Sequence, residues 1–122
     1  MIQERSLLKI ADNSGAKMVR VFRVLGGTRR RYAHLGDIVV ASVQTAEPRK
    51  AVKKKDIVKV MIVRTRNAIR RPDGSYVRFD ENAAVVLDAK KEPVGTRVFG
   101  PFPRDLKAMG HDKLMTMVSD IV

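Results

Sequence analysis

The chain has no cysteine and no tryptophan. Without thiols, disulfide frameworks, thiolate zinc sites, iron–sulfur clusters and thiol nucleophiles are all excluded. Aromatic residues make up only 5% of the sequence, as Phe22, Tyr32, Tyr76, Phe79, Phe99 and Phe102. That is too few for a stacking platform of the single-strand-binding kind. Long apolar runs are missing as well. The longest, Ala83-Ala84-Val85-Val86-Leu87, falls far short of the roughly 18 to 20 residues that a membrane-spanning helix requires. The first residues, Met1-Ile2-Gln3-Glu4-Arg5, have no basic segment followed by an apolar stretch, so no secretory signal is expected and a cytoplasmic protein is. Catalytic constellations are equally scarce. His34 and His111 have no second ligand at metal-site spacing and read as surface residues. Asp12, Asp37, Asp56 and Asp73 each sit beside a turn or strand start, where aspartate caps main-chain amides without doing chemistry. Gly26-Gly27 lacks the spacing of a phosphate-binding loop. The reading is of a binding protein with no active site, metal or cofactor.

Carboxylates are in short supply, and that deficit is the most informative feature. The 122 residues carry 25 Lys and Arg against 13 Asp and Glu, a net charge of +12. The imbalance is uneven: residues 1–79 hold 19 basic and 6 acidic side chains, whereas residues 80–122 hold 6 and 7. Solubility needs far less charge than this, so the first part is expected to meet a polyanion and the second a different partner. Three basic clusters stand out: Arg29-Arg30-Arg31, Arg49-Lys50 with Lys53-Lys54-Lys55, and a run of arginines over residues 64–78. Charge alone leaves RNA and DNA open, and the paucity of aromatics favours folded, shape-read RNA.

The length suits one domain, and a hydrophobic content of 44% suits an ordinary core. Segments 7–10, 17–25, 36–43, 56–64 and 83–87 are short and rich in Val, Ile or Leu, and turn residues separate most of them, which predicts five strands. So many short strands in so small a chain bury their apolar faces most simply by curling into a small closed β-barrel, giving a mainly β fold. Pro72-Asp73-Gly74 is a strong turn signal, and its flanks carry five arginines, Arg64, Arg66, Arg70, Arg71 and Arg78. A basic β-hairpin projecting over residues 64–80 is expected there, shaped to enter a nucleic-acid groove. Beyond residue 95 the chain is nearly neutral. Pro103 can start a helix, Leu106, Met109, Leu114, Met117 and Val118 recur at helical spacing, and Gly110 is expected to divide two short helices.

Certain segments are familiar. Ala11-Asp12-Asn13-Ser14-Gly15-Ala16, Arg31-Tyr32-Ala33 and Gly36-Asp37-Ile38 resemble the bacterial form of large-subunit ribosomal protein fourteen. So do Val63-Arg64-Thr65, Arg70-Arg71-Pro72-Asp73-Gly74-Ser75, Arg78-Phe79-Asp80, Asn82-Ala83 and Gly95-Thr96-Arg97-Val98-Phe99-Gly100-Pro101, in collinear order over residues 1–107. The resemblance implies a structural component of the large ribosomal subunit that binds large-subunit ribosomal RNA. It further implies partners on the near-neutral side: small-subunit ribosomal RNA at the intersubunit bridge, neighbouring large-subunit ribosomal proteins and a ribosome-silencing factor. Carried over by position, the RNA-facing candidates are Arg29, Arg30, Arg31, Tyr32, Arg49, Lys53, Lys54, Arg64, Arg66, Arg70, Arg71 and Arg78, and the intersubunit candidates are Thr96, Arg97, Arg104 and Lys107. The sequence departs from the family pattern at Lys50 and Lys55, where glycine is usual, and after Lys107, where the usual Leu-Ala-Pro-Glu segment is missing.

Overall fold

A computed structural model describes residues 2–26, 31–49, 52–108, 112–118 and 120–122. Five strands close a barrel: β1 (Leu7–Ile10), β2 (Ala16–Val24), β3 (Ile38–Ala46), β4 (Ile57–Arg64) and, after a small ribbon, β7 (Ala83–Leu87). Neighbours are antiparallel except at the closing seam, where β1 runs parallel to β7 with Lys9 opposite Ala83. Closure leaves no unpaired barrel edge. Irregular pairing between β2 and β3, including a shift between Val21 and Arg23, supplies the local bend that closure needs.

Alternation along the strands explains how two packed layers arise. Leu8, Val19, Val21, Val39, Val43, Val60, Ile62, Ala84 and Val86 point into the barrel and form its interior. Between them, Met61, Val63, Ala83, Val85 and Leu87 point outward from β4 and β7, and they too are buried. Their cover is the carboxy-terminal segment. This comprises β8 (Pro101–Phe102), α1 (Asp105–Ala108), α2 (Asp112–Met115) and β9 (Asp120–Ile121), with β8 and β9 paired in parallel. Phe102 and Leu106 are fully buried against that outer face; each such side chain contributes about 1.5–3 kcal/mol of burial. The two helices fall on either side of residues 109–111, and Gly110 and His111 lie outside the described residues.

Between β4 and β7 the expected hairpin is a separate two-stranded ribbon, β5 (Ile69–Arg70) and β6 (Tyr76–Val77). Its turn is exposed from Pro72 to Tyr76, as the sequence predicts for a projecting hairpin, while Arg71 beside it turns inward and joins the ribbon to the carboxy-terminal segment. All four predicted aspartate caps form. Asp12 accepts from the Ser14 amide and hydroxyl and from the Val86 amide, Asp37 from the His34 amide, Asp56 from the Lys53 amide, and Asp73 from the Ser75 amide and hydroxyl. Lys55, where the resemblance leads us to expect glycine, has a left-handed backbone at φ 72°. The turn tolerates a side chain there, at the cost of strain. Lys50 lies outside the described residues.

Candidate nucleic-acid interface

The carboxy-terminal segment covers β4 and β7, and among the described residues the outer wall over β1, β2 and β3 stays largely exposed. Those three strands and β4 together contain six Lys and Arg (Lys9, Lys17, Arg20, Arg23, Lys59 and Arg64) and no Asp or Glu. Lys9, Lys17, Arg20 and Arg23 are exposed, Lys59 is half-buried and Arg64 is buried. Leu7 stands opposite Arg20, Arg20 opposite Ser42, and Ser42 opposite Ile57. Exposed Leu7, Phe22 and Ile57 thus interleave with cations on a wall roughly 25–30 Å tall for nine-residue strands.

Strand direction sorts the predicted basic residues between the two ends of this wall. Arg31 and Tyr32, in the connection from β2 to β3, share one end with the ribbon that follows β4. Arg49, Lys53 and Lys54, in the connection from β3 to β4, occupy the other end, all three exposed. Arg29 and Arg30 lie outside the described residues. The wall cations Lys17, Arg20 and Arg23 join the two groups, which sequence reasoning missed because they occur singly. The signal that could have found them is the complete lack of acid in those strands.

On the ribbon, Arg66, Arg70 and Arg78 are exposed. Arg70 stands directly opposite Tyr76, a large exposed aromatic that sequence reasoning did not single out as a contact residue. Their register puts a guanidinium and an aromatic side chain at neighbouring positions of the ribbon, groups suited to a phosphate and an unstacked base. Asp73 at the turn has its carboxyl held below the ordinary range, first by the Ser75 hydroxyl and amide and then by Arg104 and Arg71.

Arg64 and Arg71 behave differently from the rest. Arg64 Nη1 donates to the carbonyls of Phe99 at 2.9 Å and Pro101 at 3.3 Å, while Nη2 meets Glu81 at 3.3 Å. Its guanidinium also lies 5.7 Å from the Phe102 ring centroid. Burial lowers its pKa, opposed by Glu81. Gly100, at φ 81°, passes so close that a side chain there would overlap the Arg64 guanidinium. Arg71 bonds to Asp105 and Val122.

The four residues assigned to the intersubunit side are exposed but are anchored separately. The Asn13 side chain binds the Thr96 and Arg97 amides. Arg104 lies beside the ribbon turn, 3.6 Å from Asp73, and Lys107 is on α1.

The sequence profile of the family described as ribosomal protein L14p/L23e matches residues 1–122. The chain belongs to that family. Family membership makes it a structural ribosomal protein of the large subunit, and the match extends through residues 108–122, where the motif resemblance had ended. The largely exposed basic wall and the near-neutral cover over β4 and β7 are therefore two faces of an L14p/L23e-family barrel.

Proposed function

We propose that the chain is a cytoplasmic structural constituent of the large ribosomal subunit that neutralises and positions large-subunit ribosomal RNA. The observation that carries this reading is the barrel wall of strands that contain no Asp or Glu, flanked at one end by Arg31, Tyr32 and the ribbon and at the other by Arg49, Lys53 and Lys54. Each phosphate contact on such a wall releases counterions and adds affinity that falls with salt. The near-neutral side, with Thr96, Arg97, Arg104 and Lys107, meets small-subunit ribosomal RNA and neighbouring large-subunit proteins at the subunit interface, and a ribosome-silencing factor docks on the same side. Membership of the L14p/L23e family supports the ribosomal RNA assignment, and the charge split along the chain supports a separate partner for the near-neutral side.

Competition binding tests the reading. Large-subunit ribosomal RNA is expected to displace duplex DNA from the protein at physiological salt, and Arg20→Ala with Arg23→Ala is expected to weaken RNA binding while lowering the log–log salt slope by about 0.7–0.9 per lost contact. Equal affinity for duplex DNA and ribosomal RNA would instead mark a general polyanion binder.

A further inference from the structure

The ribbon has little to hold it. β5 and β6 contribute two residues each, with Ile69 and Val77 only half-buried, while Arg70, Pro72, Asp73, Ser75 and Tyr76 are exposed. An isolated two-stranded ribbon is marginal in water, and Arg66, Arg70 and Arg78 add like charge to it. Something must fix its direction.

Arg104 reaches the turn only through an exposed pair with Asp73 at 3.6 Å, worth little in water, so the buried Arg71 is the residue in a position to do so. Only 9% exposed, it leaves the turn and points inward. Its Nε lies 3.2 Å from Asp105 Oδ1 and 3.4 Å from Oδ2, and its Nη2 donates to the main-chain oxygen of Val122 at 2.6 Å. That same oxygen accepts the Arg104 amide at 2.9 Å, and the Val122 amide donates to Phe102 at 3.0 Å. Arg71 therefore grips both limbs of the carboxy-terminal segment where they meet. Its main chain holds the turn, donating to Ser75 at 2.9 Å and accepting from Gly74 at 3.0 Å.

We infer that Arg71 is a positioning residue rather than a phosphate contact. With Asp105 and Val122 it forms a latch that sets the direction of the ribbon and so places Arg70, Tyr76 and Arg78 against RNA. The inference rests on the RNA-binding reading above. It has a consequence of unusual sign. For a polyanion ligand, Coulomb's law alone makes neutralising Asp105 favourable, whereas the latch makes the same change unfavourable.

The test compares wild type, Asp105→Asn and Arg70→Ala by titration with deproteinised large-subunit ribosomal RNA over a range of salt, with amide hydrogen exchange on the free proteins. Asp105→Asn is expected to raise exchange at the Arg71 and Gly74 amides by about tenfold while barrel amides stay protected. It is also expected to weaken RNA binding several-fold with an unchanged salt slope. Arg70→Ala is expected to lower the slope by about 0.7–0.9 with normal exchange. Tighter RNA binding by Asp105→Asn, unchanged ribbon exchange, or faster exchange with undiminished affinity each overturns the inference. If Asp105→Asn does not fold, Arg71→Lys, which keeps the charge but loses the fork, carries the same two measurements. A wild-type protein without affinity for the RNA overturns the functional reading, and the exchange result then decides alone whether the latch orders the ribbon.

Discussion

The Asn13 side chain grips Thr96 from both sides: its amide group donates to the Thr96 hydroxyl at 3.1 Å, and its carbonyl oxygen accepts the Thr96 amide at 2.9 Å. The same oxygen accepts the Arg97 amide at 3.1 Å. A turn residue between β1 and β2 thereby fixes the irregular segment that displays the two candidate interface residues, 83 positions away in sequence.

Asn13→Ala removes all three bonds at once. We expect a loss of about 0.5–1.5 kcal/mol in urea unfolding, since the two exposed main-chain donors exchange a local acceptor for water. Hydrogen exchange should accelerate at the Thr96 and Arg97 amides, with the β2 and β3 amides unaffected.

Arg64→Lys is expected to destabilise the fold by about 2–4 kcal/mol, because a lysine cannot serve the Phe99 and Pro101 carbonyls and Glu81 together. The salt slope of RNA binding should be unchanged. Arg66→Ala, at an exposed position, should give the opposite pattern: normal stability in denaturant and a shallower slope.

How far these roles could be read from sequence depends on the range of the forces involved. The five barrel strands were legible because valine-rich runs with outward polar residues, such as 16–24 and 38–46, report a local pleat. The four aspartate caps were legible because a cap acts within two to four residues. By contrast, Arg64 and Arg71 look like any other arginine in a basic run. Only partners 35 and 51 residues away, Phe99 and Val122, turn them inward. The β8 and β9 strands were invisible for a related reason, since two-residue pairing follows from packing over β4 and β7 rather than from any pattern of its own.

Lys55→Gly is expected to stabilise the fold modestly, by about 0.5 kcal/mol. Relief of left-handed strain at φ 72° outweighs the extra freedom that glycine gives the unfolded chain. A small rise in Tm, with the Lys55 amide still protected by its bond to Val43, is the observation to make.

Strong acidification should loosen the ribbon turn. The Asp73 carboxyl is held below its ordinary value in the fold, chiefly by Ser75. Its contribution is therefore complete above the unfolded-state carboxylate value and is lost as pH falls through the lower folded-state value. A pH titration of the Ser75 amide signal should show its midpoint below that of an unstructured aspartate, and Ser75→Ala should move the Asp73 titration upward.

Sedimentation of the tagged protein from its host tests the central claim most directly. The protein is expected to travel with the large subunit when magnesium is low enough to separate the subunits, and with the whole ribosome when magnesium keeps them joined. Retention at the top of the gradient, or migration with chromosomal DNA, would contradict the account.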